Sequence, residues 1–318
     1  MIGALIVWFL LSQIELKDIP KAIADIPPHG LIIAFCLYAA SVMFKALRFK
    51  IILRSNIGFW RISSIVSLYM LFANVLPMRA GELSYMYLLK KNANTPGTKS
   101  FASLITGAVA DALLILIMMF FVAWHLRSEI VNRSTEISIS GLLSSLLQKL
   151  PESKLFMILV ILALISIIVA ILLKWKNYRL KLLKFWAFIK SKSMEIFNEL
   201  TNISFDLRLL GIILFSVLII VLRFGTQWVI VRSMNVEINI WQFSFAMLFS
   251  VLFSLLPIHG PAGFGTVEAP WVLALAYLGV PSKDAIISGF SLHIIIIIFC
   301  VILGLYGAIG LNRLKIED

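Results

Sequence analysis

Charge is scarce in this sequence. Asp, Glu, Lys and Arg make up 14% of the 318 residues, where about 25% is usual for a soluble domain. Cysteine occurs only at Cys36 and Cys300, both inside apolar runs and without metal-ligand spacing, so neither a disulfide framework nor a zinc site is expected. Thr98-Lys99-Ser100 lacks the leading glycine and the Gly-Lys pair of a phosphate loop. No nucleotide site follows from it, and no cofactor is implied. What is abundant is apolar surface: 61% of residues are hydrophobic and the mean hydropathy is +0.99. A water-soluble globule cannot bury that much, and a disordered chain would not contain it. Long continuous apolar runs, in place of short alternating strands, give an all-α, polytopic integral membrane protein.

The net charge of +12 does not indicate nucleic acid. Basic residues sit in short loops between apolar runs, where the positive-inside rule and anionic lipids at the cytoplasmic face place them. Residues 1–11 are apolar but short of the roughly 20 a span needs. They have no basic n-region or cleavage site, so they read as a short or tilted first helix and not as a signal peptide. Residues 15–30 suit a surface-lying segment. Full spans are expected at 31–53, 101–124, 155–173, 209–231 and 285–309. Residues 142–150 and 174–208 read as amphipathic surface segments, the latter with eight Lys/Arg against three acids.

Two stretches are broken: 62–76 stops at Pro77 before a short piece at 83–89, and 241–256 stops at Pro257 before 270–278. If each pair is a hairpin entering and leaving on one side, and the N-terminus is cytoplasmic, cytoplasmic segments hold 17 Lys/Arg and the other side eight. That count supports about six full spans plus two oppositely oriented re-entrant hairpins, with both termini cytoplasmic in the cell membrane.

The two breaks resemble one another. Leu76-Pro77-Met78-Arg79-Ala80-Gly81-Glu82 matches Leu256-Pro257-Ile258-His259-Gly260, followed by Pro261-Ala262-Gly263-Phe264-Gly265-Thr266-Val267-Glu268. Each has a Leu-Pro helix stop, a basic side chain two residues on, and a glycine before a glutamate that opens the next helix. Paired Gly/Pro-interrupted segments in two halves point to a transporter's midplane site. Broken backbone within a bilayer must line a protein-filled or wet cavity, and helix N-termini there suit phosphate or carboxylate. The half-repeats are expected at about 31–124 and 209–310 within a single transmembrane domain, joined by 125–208.

The stretches 261–269 (PAGFGTVEA) and 79–89 (RAGELSYMYLL) resemble the transmembrane region of the lysylphosphatidylglycerol synthase/flippase family. Residues 46–53 (ALRFKIIL) and Asp111 look like further family positions. The resemblance covers nearly the whole chain and implies a lipid-flippase fold. One departure is that Gly107 and Ala108 stand where the family often has Glu-Arg. No soluble aminoacyl-transferase domain follows, so lipid lysylation is not implied.

Charges inside apolar runs are costly and need partners or water. Arg223 lies mid-run with Gln227 one turn on, and Asp111 is its expected partner, or else a proton carrier. Arg79, Glu82, His259 and Glu268 sit at the hairpin tips, with Gly263, Gly265 and Thr266 lining the second. Arg79 and Glu268 are expected to share one site. Lys45 is expected to snorkel to the surface, His293 is either a core histidine or a proton relay, and Gly304, Gly307 and Gly310 are spaced for close helix packing. The leading reading is a flippase-like lipid translocator whose substrate headgroup meets Arg79, Glu82, Arg223, Gln227, His259, Gly263, Gly265, Thr266 and Glu268. Asp111, Glu268 and His293 are its candidates for ion coupling. Expected partners are a lipid headgroup and anionic lipids, with homo-oligomerisation open. The alternatives are an integral-membrane transferase with Glu268 or His259 as base, and a non-catalytic partner of a separate enzyme.

Overall fold

Pro27 and Pro28 start the first long helix. Pro27 is extended and Pro28 occupies the first helical position, where its missing N–H costs nothing. This helix, α3 (Pro28–Leu53), ends where Arg54 turns left-handed at φ 47°. The computed structural model describes residues 2–77, 80–127, 207–234, 236–254 and 261–317. They belong to one unit built from 1–130 and 200–318. The expected span 155–173, the amphipathic segment 142–150, the segment 174–208 up to residue 206, and residues Arg79 and His259 lie outside the described residues.

The described residues are helical and contain no strand. Before α3 come α1 (Ile2–Leu11) and α2 (Asp18–Ala24), and after it α4 (Phe59–Val75), α5 (Gly81–Ala93) and α6 (Gly97–His125). Then follow α7 (Leu207–Ser233), α8 (Ile240–Ser254), α9 (Glu268–Tyr277) and α10 (Ser282–Glu317). Four helices are long and apolar enough to cross a membrane: α3, α6, α7 and α10, with 26, 29, 26 and 33 residues in their candidate spans. Their outward faces carry exposed Leu, Ile, Val and Phe, such as Leu113, Phe120, Leu214, Val221, Ile302 and Leu305. A monomeric soluble protein does not present such a surface. The chain is an all-helical membrane protein.

Small residues set the packing. α3 and α7 run antiparallel: a methyl at Gly225 would meet Leu37 at 3.5 Å, one at Gly211 would meet Ile51 at 3.3 Å, and one at Gly30 would meet Ser233 at 2.9 Å. α10 lies antiparallel to α4 through Gly304, Gly307 and Gly310, as their spacing predicts. A methyl at Gly307 would sit 2.5 Å from the Ser64 carbonyl oxygen. Buried Ser63, Ser64 and Ser67 on α4 complete this close seam.

These contacts fix two ends of the bundle. Lys283 pairs with Asp18 at 2.9 Å at one end, where α2 leads into α3, α7 finishes and α10 begins. The Lys283 ammonium holds the Asp18 carboxyl below the usual carboxylate range. Arg54 marks the other end. α4 starts at the Arg54 end and stops at Val75, and α5 turns back so tightly that a methyl at Gly81 would lie 2.3 Å from the Phe72 carbonyl. α6 then crosses to the Lys283 end, where His125 stacks on Trp241 with centroids 3.9 Å apart.

There α8 opens on a capping box. Asn239 Oδ1 accepts from the N–H groups of Trp241 and Gln242 at 2.9 Å, and Gln242 Oε1 accepts from the Asn239 N–H at 3.1 Å. α9 returns to the same end, where the Gln242 side chain donates to the Leu278 carbonyl at 3.3 Å. α1 has 10 residues, about 15 Å of helix, too short to span. Its Gly3 lies under Phe264 and Gly265, at the second break.

Candidate functional site

The second break is built around Gly263 and Gly265, at φ 73° and 83°. This left-handed backbone disfavours any side chain. The Gly263 carbonyl accepts from the N–H groups of Thr266 and Val267, both at 3.1 Å, and from the Thr266 hydroxyl at 2.9 Å. The turn thereby aims Glu268, first residue of α9, inward. Glu268 Oε2 accepts from the Gly265 N–H at 2.7 Å, and Oε1 lies 2.6 Å from His293 Nδ1 on α10. An ionised Glu268 can only accept here, so Nδ1 is the donor in this contact. The Phe264 ring packs on the imidazole, centroids 4.8 Å apart. Glu268 is buried, and a buried carboxylate persists only when satisfied in this way.

Glu268 and His293 form one wall of a cavity of about 190 Å³. Arg223 and Gln227 of α7 line it, with Asn74 near the end of α4 and Ser250 and Ser254 of α8. Trp271, Leu292 and Ile296 supply its apolar walls. The cavity therefore lies where a hairpin from each end of the bundle stops. Arg223 is half-buried and has no hydrogen bond or ion pair among the described residues. Asn74 is fixed by donating to the Met70 carbonyl at 2.7 Å.

Sequence reasoning paired Asp111 with Arg223; the structure pairs it with Arg48. Arg48, almost fully buried on α3, places Nη1 against Asp111 Oδ1 and Nη2 3.0 Å from Oδ2, and Nη1 also donates to Ser216 Oγ at 2.7 Å. The planar guanidinium suits such a two-pronged contact. Gly107, at one of the departures from the family pattern, makes room: a methyl there would lie 3.0 Å from Arg48 Nη2. Arg48 is one of the 17 Lys/Arg that the charge count assigns to cytoplasmic segments. The signal that it faces inward was its spacing from Tyr38, Ser41 and Lys45, one face of a 3.6-residue helix.

Of the expected site residues, Arg223, Gln227, Glu268 and His293 meet at the cavity. Gly263, Gly265 and Thr266 form the turn that presents Glu268. Glu82 stands in the first turn of α5 and does not line the cavity. Lys45 does not snorkel outward; its Nζ lies 3.4 Å from Met70 Sδ and 5.4 Å from the Tyr69 ring centroid. Asn74, Ser250 and Ser254 were not singled out in the sequence. Such residues in an apolar run read as ordinary helix packing until neighbouring helices surround them.

Broken helices around a cavity that gathers Arg223, Gln227, Glu268 and His293, in a bundle with an apolar exterior, define a membrane protein with charged groups at a candidate site. The chain belongs to the family described as the lysylphosphatidylglycerol synthase TM region, whose model matches residues 1–304. No curated protein matches the chain.

Proposed function

We propose that this protein translocates a polar-headgroup lipid between leaflets, the headgroup passing through the cavity while its tails stay in lipid. The observation that carries this reading is Arg223, a charge inside an apolar bundle that faces a cavity. An arginine at mid-span costs at least ~2.5–3.5 kcal/mol on insertion scales. A headgroup in bare hydrocarbon faces far more, of order tens of kcal/mol for an isolated ion. Bringing the two together removes most of both costs, and the guanidinium fork matches a phosphate.

In this reading the hairpins α4–α5 and α8–α9 are inverted repeats, within half-repeats at about 31–124 and 209–310. Rocking of one against the other exposes the cavity to each leaflet in turn. The Arg54 end is cytoplasmic, following the basic-residue count. The Glu268–His293 pair at the cavity wall is the place where the step is coupled to an ion.

The test is leaflet transfer of a fluorescent phospholipid in liposomes containing only the purified protein. Probe buried in the inner leaflet should become accessible to a membrane-impermeant quencher faster than in protein-free liposomes. Equal rates would refute translocation. A chemically altered lipid without transfer would indicate the transferase.

A further inference from the structure

Lys45 of α3 is a second basic side chain inside the bundle with no ion pair among the described residues. It is half-buried, and its ammonium meets only a thioether sulfur and the Tyr69 ring among the described residues. A thioether is a weak acceptor and an aromatic face leaves the charge in place. We propose that Lys45 and Arg223 form one two-cation site for a phosphate group carrying close to two negative charges, a phosphomonoester or a diphosphate.

The register of α3 on α7 puts the two residues together. Gly225 faces Leu37 and Gly211 faces Ile51, so Arg223 stands level with residues near Ala39. Lys45 follows six residues on, roughly 9 Å along the axis at 1.5 Å per residue. Two long side chains cover that separation. Their charges act on one another, and Arg223 also acts on Tyr38 and Cys300, whose hydroxyl and sulfur lie 2.9 Å apart. α4 makes a second link: Asn74 lines the cavity and binds the Met70 carbonyl, while the Met70 sulfur touches Lys45.

Neither nearby carboxylate is in contact with Lys45. Asp111 gives both oxygens to Arg48, and it and Glu82 act on Lys45 only at longer range. Two like charges in a low-dielectric interior repel unless an anion lies between them. A phosphomonoester carries about −1.5 to −2 at neutral pH, which balances both. A zwitterionic phosphodiester headgroup brings its own cation and needs only one. This proposal rests on the translocation reading for its substrate, and a binding measurement separates the two.

The experiment measures binding to the purified protein in nanodiscs, using phosphatidic acid, phosphatidylcholine and inorganic diphosphate as probes. Lys45→Gln should weaken phosphatidic acid about tenfold, the order expected for one charge-assisted contact. It should leave phosphatidylcholine within about twofold, and Lys45→Arg should restore phosphatidic acid. Competition by diphosphate would show that the phosphate alone is read, and its absence that the lipid headgroup is required; both support the site. Unchanged phosphatidic acid binding in Lys45→Gln, or equal loss of both lipids, would overturn it. Lys45-dependent binding without any leaflet transfer would refute translocation and keep the site.

Discussion

Arg48 and Asp111 lock three transmembrane helices together. The guanidinium of α3 grips both oxygens of the α6 carboxylate and, through Ser216, reaches α7. Removing one partner leaves a buried charge alone, which typically costs about 3–5 kcal/mol, whereas apolar replacement of both is often neutral. Arg48→Met and Asp111→Leu should each destabilise by about 3 kcal/mol. The lower bound applies because Asp111 keeps 27% of its side chain exposed. Arg48→Met combined with Asp111→Leu should recover most of the loss. Denaturant midpoints in detergent measure this, and additive losses in the double mutant would show that the pair is not coupled.

The Glu268–His293 pair predicts a separation of fold from function. Glu268→Gln keeps an oxygen for the Gly265 N–H and loses the negative charge. Its unfolding midpoint should stay within about 1 kcal/mol of wild type, the net worth of an ordinary hydrogen bond. Lipid transfer should fall. Glu268→Ala also orphans the Gly265 N–H, so it should lose about 1–3 kcal/mol of stability as well. A Glu268→Gln variant with wild-type lipid transfer would leave the glutamate as a helix-terminal cap.

Gly81 is the pivot of the first hairpin. A methyl there would lie 2.3 Å from the Phe72 carbonyl and 2.4 Å from Ala73 Cα, backbone that cannot rotate away. Gly81→Ala should therefore force α4 and α5 apart and cost at least the ~1–3 kcal/mol of overpacking. Gly97, at the start of α6, has nothing within 4 Å of the same position. Gly97→Ala should be neutral, or stabilising by about 0.4–1 kcal/mol through the unfolded chain. Thermal melts of the two variants, at matched detergent, check the contrast.

The helices were legible because a bilayer imposes length and hydropathy. The apolar runs at 31–53, 101–124, 209–231 and 285–309 became α3, α6, α7 and α10, and Pro77 follows a helix stop at mid-bundle. Glycine spacing in α10 likewise announced its close contact with α4. The partner of Asp111 was not legible. Which cation an aspartate meets depends on how far each helix is rotated and how deep it sits, and hydropathy reports neither. Counting placed Arg48 at the membrane surface because it lies near the end of a run; its spacing from Tyr38 places it inside. The gathering of Arg223, Gln227, Asn74, Glu268 and His293 likewise needed the α3–α7 and α4–α10 registers, which small residues set across more than 150 residues of chain.

Arg223 tests whether the cavity is a binding site or a structural cluster, because the two roles move stability in opposite ways. A structural arginine has a partner, and its removal strands that partner as in the Arg48 pair. Arg223 has none among the described residues, so Arg223→Gln removes a desolvated charge without orphaning another. Its unfolding midpoint should equal or exceed that of the wild type, the pattern of a site that gives up stability for function. Arg223→Ala should abolish lipid transfer. Arg223→Lys should largely do so, since an ammonium keeps the charge but loses the two-pronged contact with phosphate. Full activity in Arg223→Lys would reduce the residue to a generic counter-charge. A destabilisation of Arg223→Gln matching that of Arg48→Met would instead make Arg223 one half of an ion pair, leaving the headgroup without its anchor.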